Sequence, residues 1–348
     1  MLGISERTKA EENNIFCEYS TDTLDARLAS RYTLAAIHFE TTAPNNSDAP
    51  IEPPSNPNQT NCGLKWLPGN QAPSPIEVIR SASEVTRGRE NNILWSENGD
   101  YMFCALSTSD SEEIEALAEQ SYLSMLAFIE AKGYPHILRA WNYFDRINQG
   151  EGDKERYRRF CVGRHKAFEN TTNQAHLNVY PSASAVGCDG KGLFIYLVAS
   201  KTPGAHFENP EQVSAFHYPR TYGPKSPSFA RATLQRLSDT ESRIYISGTA
   251  SIKGHETQHP NQTNHQIDVS IDNIERLIKH VQSSAQPNST ASIEMLKVYV
   301  RHEHELDLIR TKVEAHFKGV PICYCRGDIC RNDLNVEIDG ICHLRANT

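Results

Sequence analysis

The sequence of 348 residues lacks any apolar run approaching the roughly 18 residues that a membrane-spanning helix requires. Its beginning, MLGISERTKAEENNIFCEYS, has no basic segment followed by an apolar core, so we expect no secretory signal peptide. Together these two absences predict a cytoplasmic protein that has no membrane partner.

An excess of basic residues is also missing. The chain has 35 Lys and Arg against 43 Asp and Glu, a formal net charge of −8, whereas a nucleic-acid-binding protein normally presents a basic face. We therefore expect no nucleic-acid partner, although a small anionic ligand is compatible with this total because the local charge of a site matters more. Hydrophobic residues make up 38% of the chain, which is typical of a globular protein, and the length suits two domains of about 150 residues each.

Cysteine is scattered and odd in number, at nine residues. Without an export signal we expect these thiols to be reduced. The C-terminal group of Cys323, Cys325, Cys330 and Cys342 begins with a C-x-C pair that is followed by x4-C, which is not a usual zinc spacing. A strand explains the C-x-C pair more simply, so we expect no structural metal at these cysteines.

The segment HETQH, 255–259, fits the H-E-x-x-H pattern, in which two histidines one helical turn apart bind zinc. That pattern requires a helix, yet Gly254 precedes the segment and Pro260 follows it directly. We therefore expect a polar loop here rather than the zinc site of a metallohydrolase.

Two stretches have the apolar spacing of amphipathic helices. They are 112–132, after which Gly133 and Pro135 end the pattern, and 269–281. Each comes after a strand-like segment, FCALST or IYISGTAS, and each is followed by a strand, a second helix and a further strand. The matched order favours an internal duplication of one α+β unit over a chance likeness. The segment 41–61, rich in Pro, Asn and Ser, predicts an irregular surface loop.

The stretch PRTYGPKSPSFARA, 219–232, combines three prolines with cationic and aromatic residues. Proline fixes φ and removes a backbone donor, so neither an interior helix nor a central strand is expected here. The composition predicts a stiff loop that holds Arg220, Tyr222 and Arg231 in defined positions.

A second cationic and aromatic pair lies in ERYRRFCVGRHKAFE, where Tyr157 and Arg164 are seven residues apart and so share one face of a helix. This helix is either an ordinary amphipathic surface helix or part of the same site as the stiff loop. In the second case the two segments supply two or three guanidiniums, and arginine binds carboxylates through paired hydrogen bonds. That combination suits a ligand with two carboxylates.

Two strand motifs carry the remaining candidates. In LNVEIDG, apolar residues alternate with Asn335 and Glu337, which places these two on the other face of a strand. Glu337 is then either a solvent-facing carboxylate or a buried acid whose pKa is raised by desolvation, suited to general acid catalysis near neutral pH. In SGTASIKGH, the small residues from Gly248 to Ser251 allow a flat ligand, or a closely packed neighbour, to approach the backbone.

Four motifs, in this order along the chain, resemble the chorismatases: GDKERYRRFCVGRHKAF, YPRTYGPKSPSFARA, YISGTASIKGHET and CRNDLNVEIDG. Chorismatases remove the enolpyruvyl side chain of chorismate, and the resemblance covers most of the chain from about Trp95 onward. It implies an α+β fold of two RidA (YjgF)-like modules, each a mixed sheet with helices packed on one face. The first module would span 1–205, including the loop 41–61, and the second, 206–348, would carry the catalytic acid.

Chorismate has two carboxylates, and the resemblance implies four residues that contact its carboxylate and hydroxyl groups: Tyr157, Arg164, Tyr222 and Arg231. Arg220 either contacts the substrate as well or braces the loop. By the same resemblance Glu337 is the catalytic acid that protonates the enolpyruvyl methylene. No metal or organic cofactor is implied, and the expected partner is the small-molecule substrate, bound by a monomer or weak oligomer.

The product depends, by this resemblance, on the residues beside the substrate ring. Hydrolytic members of the family have alanine at the positions of Ala250 and Cys330, and members that form 3-hydroxybenzoate have glycine and cysteine. This sequence has a mixed set, Ala250 with Cys330. Because of Cys330, which can donate or accept a proton near the ring, we expect the aromatising branch, giving 3-hydroxybenzoate alone or together with 4-hydroxybenzoate. The alternatives are hydrolysis to 3,4-dihydroxycyclohexa-1,5-dienoate and a non-catalytic RidA-like binding module.

Overall fold

The computed structural model describes residues 14–20, 22, 30–40, 59–68, 76–108, 113–171 and 180–347. Most of the expected surface loop, 41–58, lies outside these residues. Its last three positions, 59–61, belong to a strand instead, because they pair in parallel with 36–38. The predicted loop is therefore too long at its C-terminal end.

The described residues form four α-helices and eighteen strands. The helices are α1 (Ile114–Ala131), α2 (Arg156–Glu169), α3 (Thr263–Ala285) and α4 (Leu306–His316). The strands before residue 150 are β1 (Ile15–Ser20), β2 (Thr33–Glu40), β3 (Gln59–Trp66), β4 (Ile76–Ser81), β5 (Thr86–Glu90), β6 (Ile93–Glu97), β7 (Tyr101–Thr108) and β8 (His136–Asp145). The later strands are β9 (Ser182–Cys188), β10 (Leu193–Ser200), β11 (Ala205–Phe207), β12 (Ala232–Arg236), β13 (Glu241–Ala250), β14 (Ile252–Lys253), β15 (Glu256–Thr257), β16 (Ser289–Val300), β17 (Ile322–Arg326) and β18 (Val336–Ala346).

Both predicted amphipathic helices are present. Helix α1 ends as expected, because Gly133 adopts a φ of +82° that an L-residue with a side chain rarely takes. Helix α3 begins six residues earlier than its apolar pattern indicated. Its first turn contains buried polar residues, including Gln266, whose side chain bonds to the backbone of Asp333 and Asn335. Such residues give no apolar signal in a sequence.

The sheet topology confirms the internal duplication. One sheet has the strand order β5-β6-β7-β10-β8-β9, and the larger sheet contains the matching order β11-β12-β13-β18-β16-β17. In both, neighbouring strands are antiparallel except for the last pair, β8 with β9 and β16 with β17, which is parallel. The α+β architecture of two repeated modules is therefore as expected.

The two sheets pack face to face with helices outside. In β10, Ile195 and Leu197 pack with α1 and α2, whereas Tyr196 lies in a core that also contains Tyr299 of β16. The hydroxyl of Tyr299 lies 2.9 Å from that of Tyr143 in β8. Helices α3 and α4 cover the opposite face of the larger sheet. Strand alternation thus sends one set of side chains to the helices and the other to the contact between the sheets.

The N-terminal strands extend the sheet of the second module. The order continues β17-β3-β2-β4-β1, through an antiparallel pairing of Cys325 with Trp66 and Arg326 with Lys65. The repeated units themselves run from 86 to 200 and from 205 to 346. The division at residues 205 and 206 stays a prediction for domain boundaries, and β1–β4 belong by pairing to the second sheet. No helix among the described residues has both the length and the apolar character needed to cross a membrane.

Candidate active site

A cavity of about 450 Å³ lies between the two modules. The first module contributes residues of β8, α2 and β9, and the second contributes the loop before β12 together with β13, the β14–β15 hairpin and the segment leading into β18. Seven of the eight residues selected from the sequence line this cavity: Tyr157, Arg164, Tyr222, Arg231, Ala250, Cys330 and Glu337.

Arg220 is the exception. Its guanidinium makes two hydrogen bonds to the carboxylate of Asp153, at 2.9 and 2.6 Å, and both side chains are exposed. The bonds tie the loop of the second module to the turn before α2. The structure therefore places Arg220 outside the residues that line the cavity, in the position of a loop brace.

Arg164 is buried at the end of the cavity formed by α2. Its Nη1 donates to the carbonyl oxygen of Ser228, and its guanidinium lies 4.8 and 5.0 Å from the ring centres of Tyr122 and Phe168. Within the described part of the chain, Nε and Nη2 have no hydrogen-bond partner. Unpaired buried guanidinium donors are costly, so this position suits an anionic ligand.

Arg231 is a second buried guanidinium, only 4% exposed. Its Nη2 donates to the hydroxyl of Tyr218 at 2.6 Å, and its Nε lies 4.0 Å from Oε2 of Glu208 without a hydrogen bond to any described residue. Burial raises the pKa of Glu208 to about 7 against the opposing effect of Arg231. The charge on Arg231 is therefore only partly compensated near neutral pH.

Arg331 is a third guanidinium in the cavity, and the sequence reasoning missed it. It stacks on the ring of Tyr222 at 4.1 Å and donates to Oγ1 of Thr257 at 3.3 Å, while its buried Nη2 bonds to no described residue. The available signal was its position directly after Cys330 in the motif CRND. A fourth arginine of the cavity lining, Arg158, was also not predicted, and it is paired with Glu155 at 3.0 Å.

The stiff loop is held on its outer side by the segment HETQH. The hydroxyl of Tyr222 lies 3.1 Å from Nδ1 of His255, and their rings meet edge to face. Glu256 and Thr257 form the short strand β15, and His259 has a φ of +52°, so the segment is a hairpin and turn rather than a helix. Within the described ranges, no three His, Cys, Asp or Glu side chains come together as a metal site.

Glu337 lies on β18 at the floor of the cavity and is 4% exposed. Its neighbours in the sheet are Ala250 of β13 and Tyr299 of β16. Burial raises the pKa of Glu337 to about 8, and the negative charge of Asp339 contributes to the rise against nearby arginines. The buried alternative for Glu337 is therefore the one observed, and the carboxyl group is mostly protonated at neutral pH.

Gly248 makes room for this acid. A Cβ atom added there would overlap the Oε1 atom of Glu337, and it would lie 3.1 Å from Oγ of Ser184. The pairing of β13 with β18 shifts register between Ile246 and Thr249, so the strand is irregular at this point. The small residues of SGTAS therefore accommodate a side chain of the protein itself.

Cys330 and Tyr157 are two further residues that line the cavity. Burial, followed by the charge of Glu337, raises the pKa of the Cys330 thiol to about 12, against the opposing effects of Arg331 and Tyr157. Burial also raises the pKa of Tyr157 well above its usual value. Both groups are therefore protonated at neutral pH, so Cys330 is a hydrogen-bond donor rather than a thiolate.

Comparison with known proteins identifies relatives of this chain. Residues 77–199 match the family model described as Chorismatase FkbO/Hyg5-like, N-terminal. A 3-hydroxybenzoate synthase from Streptomyces hygroscopicus is 35% identical over 275 residues, which cover 76% of this chain and 80% of that protein. A chorismatase from Streptomyces rapamycinicus is 33% identical over 264 residues, covering 73% and 78%.

A solved structure agrees over nearly the whole chain. The crystal structure of a chorismatase covers 94% of this chain and 98% of its own, with 28% sequence identity and a TM-score of 0.81. The overall fold is thus shared with a solved chorismatase. This chain belongs to the chorismatase family.

Proposed function

We propose that this protein is a chorismatase that removes the enolpyruvyl group of chorismate and releases pyruvate and a hydroxybenzoate. The observation that carries the proposal is a carboxyl group with a pKa of about 8, Glu337, in a cavity that also contains three arginines whose donors bond to no residue that the structure describes. A protonated acid beside cationic groups suits a dianionic substrate that must accept a proton.

In this proposal the arginines of the cavity bind the carboxylates of chorismate. Arg164 lies at the α2 end of the cavity, and Arg231 and Arg331 lie on the side of the stiff loop. Two separate cationic positions match the two carboxylates of chorismate, one on the ring and one on the enolpyruvyl group. The prolines of the loop lower the ordering cost of binding because the frame of Tyr222 and Arg231 is set before the substrate arrives.

Glu337 starts the reaction. Its proton is delivered to the enolpyruvyl methylene, which leaves an oxocarbenium ion at the ether carbon and an ionised Glu337. In the aromatising branch the C–O bond to the ring then breaks and pyruvate leaves. The ring loses one C–H proton to become the hydroxybenzoate, which balances the proton that Glu337 gave up and takes back before the next turnover. In deuterium oxide, one solvent deuteron therefore enters the methyl group of pyruvate.

Cys330 and Ala250 lie beside the site of the second product. The aromatising reaction rearranges the substrate internally and consumes no water, and the protonated thiol of Cys330 is placed to donate a hydrogen bond or proton near the ring. The similarity to a 3-hydroxybenzoate synthase supports this branch. Ala250, which pairs with Glu337 across the sheet, favours the second candidate, hydrolysis to the dihydroxycyclohexadienoate with one water consumed.

Incubation with chorismate, followed by chromatography and a pyruvate assay, tests the proposal. We expect equal amounts of pyruvate and hydroxybenzoate from the wild type. In Cys330→Ala we expect continued pyruvate release with a shift from hydroxybenzoate toward the diene-diol. Cys17→Ala, which removes a thiol on β1 outside the cavity, should leave the products unchanged.

Each negative result contradicts a different part of the proposal. Absence of pyruvate from folded wild-type protein contradicts chorismatase activity altogether. Pyruvate with the diene-diol as the sole second product contradicts only the aromatising branch. An unchanged aromatic yield in Cys330→Ala removes the role given to the thiol.

A further inference from the structure

A second carboxylate lies behind Glu337, two residues further along β18. Asp339 is 3% exposed, and strand alternation puts its side chain on the same face as that of Glu337. Among the described residues, those lining the cavity include Glu337 and do not include Asp339. Asp339 can therefore act on the reaction only through another group.

Three hydrogen bonds from protein side chains converge on the carboxylate of Asp339. Its Oδ2 accepts from Nη2 of Arg139 at 3.0 Å, from Oγ of Ser184 at 2.8 Å and from the hydroxyl of Tyr299 at 2.7 Å. Arg139 and Ser184 come from the sheet of the first module, while Tyr299 comes from β16 of the second. Donors that converge on one carboxylate oxygen favour its ionised form.

The electrostatic surroundings of Glu337 combine this anion with three cations. Arg139 on β8, Arg231 before β12 and Arg301 after β16 all favour ionisation of Glu337, and Asp339 opposes it. Tyr157, Cys330 and Tyr299 complete the group of titratable neighbours, and burial raises the pKa of each above its usual value.

One further cation near Asp339, the ammonium group of Lys297, is paired with a different carboxylate. Lys297 pairs with Asp339 across the sheet, but its Nζ lies 2.5 Å from Oε2 of Glu77 on β4, and both side chains are buried. Glu77, which lies on one of the N-terminal strands β1–β4, thus forms an ion pair with Lys297 and balances its positive charge. Asp339 keeps its own negative charge available to Glu337.

We propose that Asp339 is a positioning residue that keeps Glu337 protonated, because its negative charge offsets the guanidiniums of Arg139, Arg231 and Arg301. The inference rests on the proposed role of Glu337 as the acid. It adds to the effect of burial, which is the larger cause of the raised pKa of Glu337. Without Asp339, the same arginines would stabilise the carboxylate more and lower the fraction of the enzyme that carries the acid proton.

The test is the pH profile of kcat/KM for pyruvate release. The wild-type rate should fall as the pH rises through about 8, the pKa of Glu337. Asp339→Asn keeps the shape but removes the charge, so the alkaline limb should move to lower pH by about 1 unit or more. Arg139→Gln removes a cation and should move the limb to higher pH. General loosening of the site cannot produce shifts of opposite sign.

Three control variants test whether the alkaline limb of the pH profile reports the titration of Glu337. Asp239→Asn changes the net charge equally at an exposed turn and should leave the limb in place. Tyr299→Phe removes one hydrogen bond to Asp339 without removing its charge, so the limb should move much less than in Asp339→Asn. Glu208→Gln identifies any contribution from the other carboxyl group, which titrates near pH 7 beside Arg231.

An infrared titration of the Glu337 carboxyl band, assigned with Glu337→Gln, gives a readout that needs no turnover. We expect the band to disappear at lower pH in Asp339→Asn than in the wild type. Equal titration of the two proteins overturns the role of Asp339, even if pyruvate is released normally. Absence of pyruvate release from the wild type contradicts the proposed function instead, and the infrared comparison then still decides the role of Asp339.

Discussion

At the scale of single residues, the site residues that could be predicted were those that lie in a local sequence pattern. Alternation in LNVEIDG placed Glu337 opposite the apolar residues, and the structure buries it in the cavity. The same alternation also places Asp339 on the face of Glu337, a signal that was present and not used. The sequence could not show which of Arg220 and Arg331 lines the cavity. Only the folded structure shows that Arg220 pairs with Asp153 and that Arg331 stacks on Tyr222.

Three of the cavity arginines have a buried donor that bonds to no described residue, and they give a prediction at this scale. Arg164→Ala, Arg231→Ala and Arg331→Ala should each reduce kcat/KM for chorismate, because a substrate carboxylate is left desolvated and unpaired, at roughly 2–5 kcal/mol. Steady-state kinetics on folded protein measures this loss. Arg236→Ala removes the same charge from an exposed position at the end of β12 and should leave kcat/KM unchanged. A near-normal value for Arg231→Ala contradicts its assignment.

Among the elements, the helices of the two repeats and their long apolar strands, such as β7, β10 and β18, were predicted from their apolar patterns. Short or polar strands such as β5 and β11 were not. The start of α3 was missed because its buried polar residues carry no apolar pattern. The attachment of β3 to β17 was also missed, since the two strands are distant in sequence and their pairing leaves no local trace. The irregular stretch of β13 at Gly248 belongs to this scale, because it is the strand that gives the acid its space.

Gly248→Ala should therefore disturb catalysis more than folding. The added methyl group overlaps the carboxyl of Glu337 and forces it to move, and a misplacement of about 1 Å can cost on the order of 10²-fold in rate. The expected loss of stability is about 1–3 kcal/mol. Thermal unfolding and kcat/KM should be measured together.

Gly133→Ala is the matched control for that substitution. Its Cβ would meet no described atom within 4 Å, but its φ of +82° is strained for alanine. We expect a loss of stability of about 1–2 kcal/mol with normal activity of the folded protein. Wild-type kcat/KM in Gly248→Ala would show that the acid has more room than the structure indicates.

In the whole molecule, duplication created two similar modules, and the active site uses them unequally. The first module supplies Tyr157 and Arg164, and the second supplies Glu337, Cys330 and the stiff loop. The order of elements and the family motifs were enough to predict two modules and the chorismatase family. The face-to-face packing of the sheets was not predictable, because contacts such as Arg139 with Asp339 join residues far apart in sequence.

The rate of pyruvate release from chorismate by Glu337→Gln is the most direct test of the central claim. Glutamine keeps the shape and hydrogen bonding of the acid but has no acidic proton to give. The account predicts a loss of at least about 10²–10⁴-fold, the usual contribution of general acid catalysis, in a protein that unfolds at the wild-type temperature. Glu130→Gln, an exposed substitution on α1, should show no loss. A fully active Glu337→Gln would contradict the assignment of Glu337 as the acid that starts the reaction.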